Sequence, residues 1–375
     1  MGKRNKSWVQ LLVGLLAVML IVSACGQAPA GPAEGNNNQG SEGGGQSEPT
    51  EQAGEPHPLE GKRVALIMQF NQGTFSAQYV EGVTEQIEKF GGEVSVFDSR
   101  NDLAQMASHL DAAINQRFDG ILIDHGQAEA LEPGVIRAIE QDISVVVFDA
   151  DIQVEGVPVL SQNDHKMAEL TLEALKEDIG GEGNIVRVWV AGFAPMERRY
   201  EVYERFLSEN PGITEIATFG NASNPNLDAE AQMQSILTQY PNPGDIDAVW
   251  TTWDEFAKGA ARAIQASGRE EIKLYGIDLS DEDLQIIQDP ESPWIATAAV
   301  DPSDIGRVQA RILYQLFNGD QPEASIVLDP VFVSRDQLPD HEVSTSELSE
   351  YVEGWGASEQ GYLDWMKELE EAVAN

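Results

Sequence analysis

The sequence has one cysteine, Cys25, in 375 residues, which excludes a disulfide within the chain and a thiolate metal site. Basic residues are also few, since 23 Lys and Arg stand against 63 Asp and Glu for a formal net charge of −40. So acidic a chain repels phosphate backbones, and we expect no nucleic-acid partner. The motifs of serine hydrolases, zinc peptidases and phosphate-binding loops are missing, as are clustered histidines. We therefore expect no enzyme activity, no cofactor and no metal.

The N-terminal segment has the order of a lipoprotein signal. Three basic residues among the first six precede an apolar run over 8–22, and Ser23-Ala24-Cys25 follows. This pattern predicts that residues 1–24 are a signal peptide and that the thiol of Cys25 carries lipid. An ordinary secretory signal with a chance cysteine is the alternative. The lipid would hold the chain on the extracytoplasmic face of the cell membrane.

Residues 25–58 consist mostly of Gly, Glu, Gln, Asn, Ser and Pro, so they predict a disordered tether. The roughly 315 residues that follow exceed the usual size of a single core, so we expect two lobes. The predicted bounds are 59–162 plus 301–328 for the N-terminal lobe and 163–300 plus 329–340 for the C-terminal lobe. A C-terminal extension over 341–375 is expected to pack as a helix on one lobe.

Short apolar runs alternate with amphipathic stretches through the folded part, in two successive series. Predicted strands lie at 64–68, 94–97, 120–123, 145–148, 185–190, 213–219, 248–252 and 274–277. Predicted helices lie at 75–90, 103–114, 130–140, 196–209, 228–240 and 255–267. Continuous apolar strands separated by helices are typical of parallel sheets covered on both faces. The fold class is therefore α/β, with two doubly wound parallel-sheet lobes joined by a hinge of crossover strands near 161–164, 298–301 and 327–332.

Ligands of open parallel sheets bind beyond the carboxyl ends of the strands, so the residues at those positions are the candidate site. They include Gln72 and Phe75 after the first strand, and His125, Asp149 and Asp278 after later ones. Carboxylates and amides bond sugar hydroxyls, and aromatic rings pack on the apolar faces of sugars. The strand-end residues therefore predict a sugar or polyol site.

The order of the motifs makes the chain resemble the ribose-type sugar-binding proteins of ABC transporters, with the periplasmic-binding-protein type I fold, over 62–330. The motifs are Val64-Ala65-Leu66-Ile67, Phe75-Ser76, Gly120-Ile121-Leu122-Ile123, Val146-Val147-Phe148-Asp149, Ser161-Gln162-Asn163-Asp164, Met196-Glu197-Arg198-Arg199, Thr252-Trp253-Asp254-Glu255, Tyr275-Gly276-Ile277-Asp278 and Asp301-Pro302-Ser303-Asp304. Each motif is short, and their order and spacing together carry the resemblance.

The resemblance implies roles for individual residues. Phe75 would stack on the sugar ring, and Trp253 would form a wall of the binding site. Asp149 and Asp278 would accept hydrogen bonds from sugar hydroxyls, and Arg199 would donate hydrogen bonds to the sugar. The remaining candidate ligand-binding residues are Gln72, His125, Asn163 and Asp254. Alternatives stay open: Arg198 competes with Arg199 for the inward direction, Asp278 could cap a helix, and His125 could lie in a solvated loop.

Three positions depart from the ribose-binding pattern. Ala150 stands where an arginine is expected, Ser76 replaces a second aromatic residue, and Val300 replaces a hinge-side glutamine. The resemblance therefore implies a ligand other than ribose, such as a different pentose, a hexose or a polyol. The predicted function is that of a monomeric solute-binding protein that delivers a sugar or polyol to an ABC permease and its ATPase. The alternatives are a ligand-binding sensor for a membrane receptor and a surface glycan hydrolase.

Overall fold

The computed structural model describes residues 57–356 and 358–374. The predicted signal peptide, Cys25 and all but the last two residues of the predicted tether lie outside the described residues. Within the described part of the chain, no helix is both long and apolar enough to cross a membrane.

Twelve strands form two six-stranded sheets in the described residues. The strands are β1 (Arg63–Met68), β2 (Glu93–Asp98), β3 (Gly120–Asp124), β4 (Ser144–Phe148), β5 (Val159–Gln162), β6 (Gly183–Val188), β7 (Ile213–Phe219), β8 (Ala248–Thr251), β9 (Lys273–Ile277), β10 (Trp294–Ala299), β11 (Ser325–Leu328) and β12 (Val331–Ser334). The first sheet has the order β11-β5-β4-β3-β1-β2, and the second has the order β12-β10-β9-β8-β6-β7. Every neighbouring pair is parallel except β10 and β12, which are antiparallel.

Helices cover both faces of each sheet, and we call each sheet with its helices a lobe. The helices are α1 (Gly73–Lys89), α2 (Leu103–Asn115), α3 (Ala128–Ile139), α4 (Asp164–Asp178), α5 (Ala194–Glu209), α6 (Pro225–Gln239), α7 (Asp254–Ser267), α8 (Asp281–Gln288), α9 (Pro302–Asn318) and α10 (Asp364–Val373). The central strands are apolar throughout because both of their faces are buried, as in β1, where every residue after Arg63 is buried. The predicted fold class is confirmed.

The chain passes between the sheets at three places. It leaves the first sheet after β5, returns after β10 through α9, and leaves again after β11 to form β12. Lobes linked by a few such crossings can rotate as bodies, because few backbone bonds have to change.

Helix α1, which carries residues to the cleft, packs unusually close to α9. A Cβ at Gly82 would lie 2.1 Å from the backbone oxygen of Ser303, and one at Gly306 would lie 2.3 Å from that of Tyr79. Glycine therefore permits a helix separation that any side chain would forbid.

The C-terminal segment packs on both lobes, so the prediction that it packs on one lobe is wrong. Its first half buries Val343, Leu348, Val352 and Trp355 in the second lobe. Its second half then contacts the first lobe through α10, where Met366 and Leu369 are buried, together with Tyr362 and Trp365. The apolar residues of this segment are divided between two separate cores, and only the tertiary structure assigns them.

Candidate functional site

The carboxyl ends of the central strands of both sheets face one cleft. Asp124 ends β3, Asp149 follows β4, Asp278 follows β9, and Trp253 precedes α7. His125, Asp149 and Asp278 have positive φ values of 58°, 50° and 74°. Non-glycine residues rarely adopt this backbone region, and such strain concentrates at functional sites.

A cavity lies in the cleft and has walls from both lobes. Seven of the nine predicted site residues line it. They are Gln72, Phe75, His125, Arg199, Trp253, Asp254 and Asp278. Their contact with a ligand stays a prediction, but the strand ends do bring them together.

Asn163 is not among the residues that line the cavity, so its predicted contact with a ligand stays a prediction. Its side chain caps α4, since its Oδ1 accepts from the Lys166 N–H at 3.1 Å and its Nδ2 donates to Asp329 at 2.9 Å. The preceding residue, Gln162, lines the cavity instead. Gln162 is the last residue of β5, whereas Asn163 is the N-cap of α4, so these neighbours belong to different elements.

Arg199 is completely buried and forms the polar floor of the cavity. Its Nε donates to Asp164 at 2.7 Å, and its Nη1 donates to the backbone oxygen of Thr252 at 2.5 Å. Both terminal nitrogens lie 3.3 Å from the carboxylate of Asp278. Burial alone would lower the pKa of Arg199, but the carboxylates of Asp278 and Asp164 raise it, so the guanidinium stays charged.

Arg198 connects the two lobes, so both neighbouring arginines point inward. It lies on α5 of the second lobe and donates to Asp149 of the first lobe at 2.8 Å and to Asp151 at 3.2 Å. Its Nε also donates to Asp164 at 2.8 Å. Ala150 leaves Asp149 without an adjacent arginine, and Arg198 supplies a guanidinium from across the cleft.

Asp149 is not among the residues that line the cavity and forms an ion pair between the lobes, so its predicted contact with a ligand stays a prediction. Its side chain is fully buried, and Oδ2 has no hydrogen-bond partner. Burial first, and then the Asp164 carboxylate, raise the pKa of Asp149 to about 7. The nearby cations His125, Arg198 and Arg199 oppose this shift.

Asp254 lines the cavity with a buried carboxylate. Neither of its oxygens has a hydrogen bond, and Lys258 Nζ forms an ion pair with Oδ2 at 3.4 Å. Lys258 is itself fully buried and closer to Glu255, Glu282 and Asp283, at 2.7, 3.0 and 3.3 Å. Burial raises the pKa of Asp254, and the crowded ammonium only partly offsets it.

His125 is held by its neighbour in the chain. Its Nδ1 lies 2.8 Å from Asp124 Oδ1, and its ring is 5.3 Å from that of Phe70. Burial opposes the charged imidazole, but the Asp124 carboxylate outweighs this effect and raises the pKa of His125. The alternative of a solvated loop residue is thereby removed, because the ring lies in the cavity wall.

Three aromatic rings meet across the mouth of the cleft. Phe70 of the first lobe lies 5.5 Å from Trp253 and 6.2 Å from Phe193, both of the second lobe, between ring centroids. These separations are those of tilted and edge-to-face aromatic pairs. The contacts of the rings and of Arg198 with Asp149 show the two lobes closed on each other.

The sequence from 64 to 321 matches the family model described as periplasmic binding protein domain. The chain belongs to this periplasmic binding protein family. A sugar ABC transporter protein from Yersinia enterocolitica is 35% identical, with 84% of this chain and 95% of that chain covered and a TM-score of 0.80. A 5-methylthioribose transporter solute-binding protein from Thermotoga lettingae is 31% identical, covering 82% and 98%, with a TM-score of 0.79.

Curated members of the periplasmic binding protein family are similar at lower identity. The ribose import binding protein of Bacillus subtilis is 24% identical over 265 residues, which cover 70% of this chain and 84% of that protein. The relatives are solute-binding proteins of transporters and not enzymes, and the family is extracytoplasmic.

Other residues of this periplasmic binding protein line the cavity although the sequence did not single them out as ligand contacts. Among them are Phe70, Tyr79, Asp124, Gln162, Phe193 and Met196. Phe70, Asp124 and Phe193 lie at or just beyond strand ends, so the strand-end rule already pointed to them. Tyr79 lies four residues after Phe75 on α1, and helix periodicity would have found it.

Proposed function

We propose that this chain is the solute-binding protein of an ABC importer and captures a neutral sugar or polyol between its lobes. The observation that carries the proposal is the buried Asp254 carboxylate in the cavity lining, which has an ion pair with Lys258 but no hydrogen bond, together with the Oε1 of Gln162 in the same lining, which also has no hydrogen bond. Buried acceptors without donors cost free energy, and the hydroxyls of a polyol would supply those donors.

The charge of the cavity lining favours a neutral ligand. The lining contains three carboxylates, Asp124, Asp254 and Asp278, and two cationic side chains, Arg199 and His125. Arg199 is already bonded to Asp278 and Asp164, and the Lys258 ammonium beside Asp254 is shared with three other carboxylates. A sugar phosphate or uronic acid would meet net repulsion in a site of low dielectric constant. The same lining accepts hydroxyl groups.

Closure of the lobes couples ligand binding to recognition by a permease. A ligand in the cavity contacts both lobes only in the closed form, so binding shifts the open–closed equilibrium toward closure. We assign the lobes to 59–162 plus 301–328 and to 163–300 plus 329–340, with 341–375 as an extension. The closed surface is the form that a membrane permease, coupled to its ATPase, would recognise.

The test is isothermal titration calorimetry of the purified protein with neutral sugars and polyols, including ribose, 5-methylthioribose and allitol, and with their acidic counterparts. We expect binding of at least one neutral ligand, no binding of the anions, and no product after prolonged incubation. Asp254→Asn should weaken binding about tenfold or more, since a charged hydrogen-bond partner is lost. The control is Asp111→Asn, which alters an exposed carboxylate paired with Arg137 outside the cleft. Absence of binding by every neutral ligand, or product formation, would overturn the proposal.

We also propose that a lipid anchors the chain to the cell membrane. Lipid on Cys25 would keep a monomeric binding protein beside its permease on the outer face of the cell membrane. A Cys25→Ser form should leave the membrane fraction and bind its ligand with unchanged affinity. Retention of that form in the membrane would exclude the lipid anchor, whereas loss of binding would show that anchor and lobes are not independent.

A further inference from the structure

We infer that the ligand carries an apolar substituent at one end of its hydroxylated part, an inference that rests on the proposed function and names its ligand class. The cavity is divided between two kinds of surface. Phe70, Phe193 and Trp253 form the apolar end, where their rings contact one another. Gln162, Arg199, Asp254 and Asp278 form the polar end.

The polar end is a connected set of charged groups. Arg199 bonds Asp278 from both terminal nitrogens at 3.3 Å, and Gln162 Nε2 lies 3.5 Å from the same carboxylate. The free acceptors of the cavity are also here, on Gln162 and Asp254. Hydroxyl groups of a ligand find hydrogen-bond partners at this end.

The apolar end offers fewer such partners, since the polar side chain that the structure records beside its rings is His125, 5.3 Å from Phe70, and the Nδ1 of His125 is already held by Asp124. Eight of the seventeen lining residues are apolar or aromatic without a polar side-chain atom, apart from the indole of Trp253. They are Met68, Phe70, Phe75, Val190, Phe193, Pro195, Met196 and Trp253. A pocket for an unsubstituted polyol needs aromatic faces for its C–H groups, but it also needs a partner for every hydroxyl, because each buried hydroxyl without one weakens binding.

The rings of the apolar end come from both lobes and meet only across the closed cleft. Phe70 follows β1, whereas Phe193 and Trp253 occupy the N-cap positions of α5 and α7. All three rings stay partly exposed, so they present surface that an apolar group would cover. A methyl, alkyl or thioether group there gains burial, and a thioether sulfur also gains a favourable contact with aromatic rings.

The experiment compares three probes that differ in the substituent on C5, namely ribose, 5-deoxyribose and 5-methylthioribose. Only ribose can also close to a pyranose, so the comparison between 5-deoxyribose and 5-methylthioribose isolates the thioether. Titration calorimetry of the wild-type protein should give the tightest binding for 5-methylthioribose, about tenfold or more tighter than for ribose, with 5-deoxyribose between them. Equal affinities, or tighter binding of ribose, would overturn the inference and leave the proposed function standing. Failure of all three probes and of every other neutral sugar and polyol would instead remove the proposed function.

A series of variants tests whether the apolar end causes the preference for 5-methylthioribose over ribose. Phe193→Ala should lower the affinity for 5-methylthioribose about tenfold and that for ribose less than threefold, so the ratio between them collapses. Phe193→Leu, which keeps an apolar side chain, should retain most of the ratio between the two affinities. It is the control for a folding defect in Phe193→Ala. Asp254→Asn should weaken both probes by the same factor. Phe97→Ala, a half-buried aromatic on the edge strand β2, should change neither affinity. An unchanged ratio in both Phe193 variants would overturn the inference.

Discussion

Replacement of Arg198 by Met should weaken ligand binding by opening the cleft. The guanidinium donates to Asp149 of the other lobe at 2.8 Å, and the Asp149 side chain is fully buried while that of Arg198 is 23% exposed. Loss of one partner from a fully buried ion pair costs about 3–5 kcal/mol. Partial exposure of Arg198 reduces this figure, and Asp164 keeps its bond to Arg199 at 2.7 Å. We therefore expect a loss of about 2 kcal/mol in the closed state, which is roughly a 30-fold weaker Kd.

The matched control is Asp151→Asn. Asp151 bonds the same guanidinium at 3.2 Å, but its side chain is 71% exposed, so its pair contributes about 0–1 kcal/mol. Calorimetry should show at most about a fivefold change in Kd for this variant. Small-angle scattering of the ligand-free and ligand-bound forms should show a larger open population for Arg198→Met than for the wild type. If both variants bind and close alike, the bridge from Arg198 to Asp149 does not stabilise the closed cleft.

Three further predictions concern pH, the tail and a helix contact. Burial and the Asp164 carboxylate raise the pKa of Asp149 to about 7 in the closed cleft. If opening rehydrates Asp149 and separates it from Asp164, its pKa falls toward the ordinary 3.8, so closure takes up a proton and ligand affinity should rise as the pH falls from 8 to 6. Asp149→Asn should abolish that rise, and a persisting rise in this variant would assign the proton elsewhere. Leu369→Ala should lower the free energy of unfolding by about 2–5 kcal/mol, because Leu369 is fully buried in the first-lobe core. Leu363→Ala, at a 37% exposed position, should lower it clearly less. Equal effects of the two variants in chemical denaturation would contradict the packing of α10. Gly82→Ala should cost about 1–3 kcal/mol because its Cβ would collide with α9, and an unchanged melting temperature would refute the close contact.

Local hydrophobic patterns in the sequence predicted much of the fold. The apolar runs of β1, β3, β4, β8 and β9 predicted buried parallel strands, because such strands need no polar face. Their order placed the loops of the cleft, since the carboxyl ends of parallel strands lie at one edge. For that reason seven of the nine predicted residues do line one cavity.

The sequence alone did not predict the directions in which individual side chains point. Arg198 and Arg199 are adjacent on α5, yet one joins the lobes and the other forms the cavity floor. Gln162 and Asn163 are likewise adjacent, and only the first faces the cavity. The exact register at which an element meets the cleft decides such pairs, and that register depends on packing rather than on residue type.

The sequence by itself determined the two doubly wound lobes and the kind of chemistry at their strand ends, because hydrophobic periodicity and strand order are local properties. Only the tertiary structure decided which groups meet across the cleft. Phe70 contacts Trp253, Arg198 bonds Asp149, and the C-terminal segment divides its apolar residues between two cores. These contacts join residues far apart in the chain, so their geometry arises from how two lobes pack together.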